Sequence, residues 1–175
     1  MKSLLFVVFF CLTLITVARE YYDYETIKFW YEYNDIVPDV MKEPPKEHAL
    51  VEYGMSTVDL GNVISARFTT KEPRVKWRAD RNAYYTIAMF DPDIPSRKDP
   101  KMGQYRYCSY YEPEPRENTG WHRYVFAVYK QRGKLGKLEE KDDEDDRTKW
   151  DAERFAKRNG LQLVAGSYFV SKFEK

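Results

Sequence analysis

The sequence predicts a mainly β domain of antiparallel strands, with helices only at its two ends. From Ala49 to Tyr129, six short runs rich in aromatic and β-branched residues are separated by turn residues. All six precede the second helical pattern of the chain. Consecutive strands joined by short turns pair antiparallel, so this order is typical of a mainly antiparallel β domain.

The chain begins with a segment that has the composition of a secretory signal peptide. Lys2 is followed by a largely apolar run to Val17, and small residues at Thr16 and Ala18 precede the charged Arg19. A membrane anchor is the alternative, but the run is shorter than the ~20 apolar residues that a spanning helix needs. We therefore expect cleavage before Arg19 and secretion to the extracellular space.

The predicted signal peptide is residues 1–18, and residues 19–175 have the size of one domain. Losing Lys2 leaves equal numbers of basic and acidic residues, so no global field attracts nucleic acid or an anionic membrane. Cys11 leaves with the signal peptide and Cys108 remains alone. A buried thiol is expected at Cys108, with an intermolecular disulfide as the alternative.

The first element of the mature chain is a predicted helix within residues 19–32. Asp23 is a candidate N-cap, and Ile27 and Tyr31 are four residues apart, which places them on one helix face. Pro38 and the following prolines prevent its continuation.

The strands follow in order. The six predicted strands are residues 49–53, 56–61, 74–77, 84–90, 104–111 and 121–129.

After these strands, seven carboxylate side chains lie close together in residues 139–146. A calcium loop is one interpretation, but the spacing lacks the glycine and terminal glutamate of an EF-hand, which favours a solvated loop.

The chain closes with a second helix and a last strand. Thr148 or Asp151 caps a helix that runs to about Arg158, and Gly160 is placed to end it. A strand over residues 161–173 follows.

A rigid polar loop follows the apolar run 84–90. Residues 91–100, DPDIPSRKDP, combine acidic side chains with prolines that fix φ and exclude a helix or an inner strand. Polar loops held at the end of a buried strand often carry binding groups, although an ordinary Asx/Pro turn is the alternative. Of the two histidines, His122 lies in an apolar strand, whereas His48 is expected to be solvated in a polar turn.

The sequence lacks the residues and motifs that several kinds of sites require. One strand histidine and one mature cysteine do not make a zinc site, and we expect neither a metal nor another cofactor. Neither the Gly-Xaa-Ser-Xaa-Gly elbow nor a phosphate-loop motif occurs. Because no nucleophile and base pair is visible, a non-enzymatic protein is predicted.

Two segments carry a family resemblance. DPDIPSRKDP at 91–100 and TGWHRYVF at 119–126 closely resemble the signature segments of the phosphatidylethanolamine-binding protein family, which includes the Raf kinase inhibitor proteins. Softer matches run in the same order at 34–40, 58–62, 75–80 and 154–169. The resemblance implies two packed antiparallel sheets with a few peripheral helices.

The resemblance also implies a site. In the family, the aspartate opening DPD and the histidine and tyrosine of HRY line a pocket for phosphate-like head groups. Carried over by motif, the ligand-binding residues are Asp91, Pro95, His122 and Tyr124. His122 and Tyr124 would donate to an anion, and Asp91 would hold the imidazole or accept from a head-group amine. The Ile94–Pro95 bond is implied to be cis.

The sequence departs from the family in three places. Residues 102–118 are shorter than the family segment and contain no histidine. Glu112, Pro113 and Glu114 align with a glycine-rich anion loop, where carboxylates repel phosphate and proline offers no N–H. The chain also stops at Lys175, where the family adds a covering helix.

Two functional hypotheses result. The protein binds a phospholipid head group or another small ligand, which the retained Asp91, His122 and Tyr124 favour. Alternatively, it is a protein-interaction module, such as a protease inhibitor, whose anion pocket has decayed, which Glu112 and Glu114 favour.

Overall fold

The computed structural model describes residues 22–101, 104–106, 110–135 and 150–175. The predicted signal peptide, both cysteines and the acidic run at 139–146 lie outside the described residues. The elements in chain order are α1 (Tyr24–Tyr33), β1 (Glu47–His48), β2 (Leu50–Tyr53), β3 (Ser56–Val58), β4 (Asn62–Val63), a 3-10 turn (Ala66–Phe68), β5 (Arg74–Lys76), β6 (Tyr85–Asp91), β7 (Tyr105–Arg106), β8 (Trp121–Lys130), α2 (Ala152–Arg158) and β9 (Gln162–Lys172).

The strands form two sheets, and most of the pairing is antiparallel, as predicted. The larger sheet has the order β1-β9-β8-β6-β7, with β4 also pairing to β9, and the smaller sheet has the order β3-β2-β5. The short strands β1 and β4 run parallel to β9. Neither parallel pair was predicted, because the partners are distant in sequence.

β8 lies at the centre of the molecule between two hydrophobic layers. On one face, Val125 and Ala127 pack in a cluster with residues of α1 and α2. On the other face, Tyr124 and Phe126 pack against the smaller sheet. Because successive side chains of a strand alternate between faces, burial on both sides explains the nearly continuous apolar sequence of β8.

Both predicted helices are confirmed, including their caps. The side chain of Asp23 accepts a hydrogen bond from Thr26 N at 2.7 Å, and Ile27 and Tyr31 are buried. Asp151 caps α2 by accepting from Arg154 N at 2.9 Å. No helix within the described ranges is long and apolar enough to cross a membrane.

The expectation that His48 is solvated in a turn was wrong. His48 forms part of β1, pairs with Gly166 of β9 and is only partly exposed. Its Nε2 atom lies 3.1 Å from Ser167 Oγ, and the ring of Tyr22 meets its imidazole edge-on. A two-residue strand leaves no period-2 signal, so its polar neighbours suggested a turn.

Candidate functional site

Three of the four predicted site residues meet where β6 ends. Asp91 is the last residue of β6, and its Oδ2 atom lies 2.8 Å from His122 Nδ1 on the neighbouring strand β8. The rings of His122 and Tyr124 are stacked with centroids 6.4 Å apart. Asp91 and Tyr124 are 0% exposed and His122 is 1% exposed.

The loop after β6 holds the carboxyl group of Asp91 in place. Its Oδ1 atom accepts a hydrogen bond from Asp93 N at 2.7 Å, which is the Asx-turn pattern of a short acidic side chain. Pro95 lies in the same loop, is partly exposed and follows a cis peptide bond at Ile94–Pro95. The loop that contains Pro95 therefore begins at Asp91, the residue whose carboxyl group contacts His122.

Thr119 is a member of the cluster that the sequence analysis missed. Its Oγ1 atom lies 2.8 Å from His122 Nε2 and donates a hydrogen bond to Arg116 O at 2.6 Å. The motif TGWH contains the signal, a hydroxyl residue three positions before the histidine, but sequence alone does not show that the chain turns back there. Gly120 supports this turn with φ of +83°.

The directions of the hydrogen bonds of Thr119 and His122 determine the net charge of the Asp91–His122 pair. A carbonyl oxygen only accepts, so the single proton of Thr119 Oγ1 points to Arg116 and the hydroxyl accepts from His122 Nε2–H. One more proton lies between His122 Nδ1 and Asp91 Oδ2. Whether this proton belongs to nitrogen or oxygen, the pair has no net charge.

The burial of the Asp91 carboxyl group is consistent with a proton shared between Asp91 and His122. Removal from water raises the pKa of the Asp91 carboxyl above its ordinary value, while hydrogen bonding to His122 opposes the rise. A carboxylate without that proton would be a buried net charge, which is costly.

The order carboxyl, imidazole, hydroxyl is also that of a nucleophile activated by a histidine base. Here the hydroxyl is oriented for the opposite role, because Thr119 gives its proton to Arg116 O instead of to the imidazole. The arrangement therefore holds His122 in place without activating Thr119. Within the described ranges, no group of three or more His, Cys, Asp or Glu side chains could hold a metal ion.

The second aspartate of DPD has a structural contact on the other face of the sheet. Asp93 receives two hydrogen bonds from the guanidinium of Arg123, one from Nε at 2.9 Å and one from Nη2 at 2.7 Å. Arg123 Nη1 donates to the carbonyl oxygens of Asn34 and Asp35, just after α1. Asp93 and Arg123 are both buried. This network fixes the DPD loop to the end of α1.

The two glutamates predicted at the anion loop interact with tyrosines of their own segment. Glu114 is exposed and accepts a hydrogen bond from the Tyr111 hydroxyl at 3.1 Å. Burial raises the pKa of Tyr110, and the charge of Glu112 adds to the rise. That these carboxylates weaken phosphate binding at His122 stays a prediction.

One known protein family matches part of the chain. The family described as phosphatidylethanolamine-binding protein matches residues 102–169, which include His122 and Tyr124. Over this segment, the chain is similar to the family.

Two known proteins are similar to the chain in sequence. It is 27% identical over 195 residues to "Putative odorant-binding protein A5" of Drosophila melanogaster, covering 98% of this chain and 90% of the relative. It is 32% identical over 114 residues to the "26 kDa secreted antigen" of Toxocara canis, covering 55% of this chain and 44% of that protein.

Solved structures share the fold. The carboxypeptidase Y inhibitor, in complex with its cognate proteinase, superposes with a TM-score of 0.73 at 22% identity, covering 86% of this chain and 96% of the other. The phosphatidylethanolamine-binding protein from Plasmodium vivax gives 0.72 at 17% identity, covering 83% and 97%. The predicted fold class, mainly β with two packed sheets and peripheral helices, is confirmed.

Proposed function

We propose that the protein is a secreted, non-enzymatic binding protein with a small-ligand site at Asp91, Pro95, His122 and Tyr124. The observation that supports this most directly is the buried Asp91–His122 pair, which has no net charge and contacts a polar loop at the end of a core strand. The match of residues 102–169 to the phosphatidylethanolamine-binding protein family supports it further. Phospholipid head groups are the ligands that the family resemblance implies. The orientation of the Thr119 hydroxyl argues against a nucleophile.

Ligand access to this site requires one local change. Both ring nitrogens of His122 are hydrogen-bonded inside the protein, to Asp91 and to Thr119. Thr119 is partly exposed and belongs to the turn before β8, whereas Asp91 is held in the core. A ligand therefore reaches the imidazole by displacing Thr119 rather than Asp91.

The two histidines permit a direct test by NMR. Hexanol, an uncharged probe, and phosphoethanolamine, a charged probe, are titrated separately while the imidazole signals are followed. His48→Gln identifies the signals of His122 and serves as the matched control. We expect saturable shifts of His122 with at least one probe and no comparable shifts of His48. Signals of His122 that stay unchanged with both probes would contradict the small-ligand site.

A protein-interaction role is the second candidate, and two observations favour it. The chain shares its fold with an inhibitor solved in complex with its proteinase. In addition, Phe29, Trp30 and Tyr33 form an exposed aromatic cluster on α1, with their rings in mutual contact. Under this hypothesis the protein inhibits carboxypeptidase Y in a peptidase assay, and changing Trp30 and Tyr33 to serine weakens inhibition. No inhibition at micromolar protein would exclude this enzyme as a target.

Secretion is supported by the predicted signal peptide and by a relative named as a secreted antigen. N-terminal sequencing of protein from the culture medium is expected to begin at Arg19. A secreted chain that begins at Met1 would contradict cleavage of the signal peptide.

A further inference from the structure

Ser171 lies directly beside the histidine of the candidate site. In the register of β8 and β9, Ser171 is the Cα partner of His122. Partners in an antiparallel pair project their side chains from the same face, with Cβ atoms about 5 Å apart. Ser171 is therefore on the face that carries His122 and Tyr124, and it is 1% exposed.

The hydroxyl of Ser171 is buried without a hydrogen bond to any described group. The other serine of β9 shows the usual situation, because Ser167 Oγ lies 3.1 Å from His48 Nε2 and accepts from Leu60 N at 3.4 Å. A buried hydroxyl without a partner is unfavourable, and each such group in a native protein calls for a missing partner. At Ser171, a ligand or a water molecule can supply that partner.

The electrostatics around Ser171 disfavour an anion. The Asp91–His122 pair has no net charge, and the Nδ1 atom of the imidazole stays hydrogen-bonded to Asp91 when a ligand displaces Thr119. The nearest residue along β8 with a permanent positive charge, Arg123, projects from the opposite face and is paired with Asp93. A phosphate group would lose its water without gaining an opposite charge from these residues. A hydroxyl such as that of Ser171 can donate to or accept from an uncharged polar group.

We propose that Ser171 contacts the ligand of this site, and that the ligand is an uncharged small molecule with one hydrogen-bonding group, such as an alcohol or a carbonyl compound. This inference rests on the proposed function and specifies the chemical class of its ligand. The ligand's polar group completes the hydrogen bonding of the Ser171 hydroxyl next to His122. Its apolar part contacts the neighbouring aromatic rings, of which Tyr124 and Phe169 are already stacked on each other.

The test compares serine variants with the two probes named above. Hexanol and phosphoethanolamine are titrated into the unmodified protein, Ser171→Ala and Ser171→Thr, with the shift of the His122 signals as the readout. We expect hexanol to bind more tightly than phosphoethanolamine. Ser171→Ala should weaken hexanol binding about tenfold, the effect of one lost hydrogen bond, and Ser171→Thr should retain most of the affinity.

Ser167→Ala is the matched control, because it removes a buried hydroxyl of the same strand that already has partners. The melting temperature should fall in Ser167→Ala and stay unchanged or rise in Ser171→Ala. An equal fall in both variants would show an internal partner for Ser171 and overturn the inference. Unchanged hexanol affinity in Ser171→Ala would assign the hydroxyl to water and overturn it as well.

The two proposals fail in different ways. Tighter binding of phosphoethanolamine than of hexanol, with saturable shifts at His122, overturns the uncharged ligand and leaves the small-ligand site intact. A His122 that responds to neither probe in any variant overturns the proposed function itself.

Discussion

At the scale of single residues, Asp91 shows how one buried carboxyl can be satisfied on both oxygens. Oδ1 accepts from Asp93 N and Oδ2 shares a proton with His122. An asparagine can reproduce both contacts, because its amide oxygen can accept from Asp93 N and its NH₂ group can donate to a neutral imidazole. This equivalence requires the shared proton to lie on Asp91, and burial favours that form because it raises the pKa of the carboxyl.

We therefore expect Asp91→Asn and Asp91→Ala to differ sharply in stability. Asp91→Asn should change the free energy of unfolding by less than about 1 kcal/mol, because no buried group loses its partner. Asp91→Ala should cost about 2–4 kcal/mol, because Asp93 N and His122 Nδ1 lose their partner. Urea unfolding measures both values. An equally large loss in Asp91→Asn would mean that the native pair is ionic or otherwise dependent on the carboxyl group.

At the scale of elements, the side chains of β8 on its two faces have different roles. His122 and Tyr124 face the candidate site, whereas Arg123 faces α1 and connects the DPD loop to the residues after that helix. Arg97 makes a similar connection on the surface, with hydrogen bonds to Asn34 O and to Asp35. Both arginines donate to Asn34 O, but Arg123 is buried and makes more hydrogen bonds than the exposed Arg97.

Burial should decide what each arginine contributes. Arg123→Met leaves the carboxylate of Asp93 buried without its cation, so we expect a loss of about 3–5 kcal/mol in the free energy of unfolding. Arg97→Met removes an exposed ion pair and should cost less than about 1 kcal/mol. Chemical denaturation of both variants gives the comparison. Similar losses in the two variants would contradict the role assigned to the buried network.

At the scale of the whole molecule, tyrosines join the helices to the central sheet. Tyr31 of α1 and Tyr168 of β9 meet edge to face, with ring centroids 5.0 Å apart, and the Tyr168 hydroxyl donates to Trp30 O at 2.6 Å. Tyr129 packs on Phe155 of α2. Burial is the first cause that raises the pKa of Tyr31, Tyr129 and Tyr168 well above the ordinary value of 10.0.

These shifts determine how stability changes with alkaline pH. A tyrosine whose folded pKa exceeds its unfolded pKa adds stability that is complete below the unfolded value and is lost as pH rises above it. We therefore expect the free energy of unfolding to fall above about pH 10. Tyrosinate absorbance should show Tyr31, Tyr129 and Tyr168 ionising only together with loss of native circular dichroism. Full ionisation of all tyrosines in a native protein would contradict this packing.

Much of the architecture could be predicted from the sequence, because its signals are local. The cap at Asp23, the buried pair Ile27 and Tyr31, and the strands around 84–90 and 121–129 all follow from neighbours a few residues apart. The proximity of Asp91 to His122 was implied by the family resemblance, and the hydrogen bond between them agrees with it.

The sequence by itself determined the order and type of the main elements and the identity of the two signature segments. The tertiary structure decided which groups contact one another. Strand pairing placed His48 beside Ser167 and Ser171 opposite His122, while the turn after Arg116 brought the Thr119 hydroxyl to the imidazole. The physical reason is that capping and periodicity act over a few residues, whereas strand register and hydrogen-bond direction depend on partners that are distant in the chain.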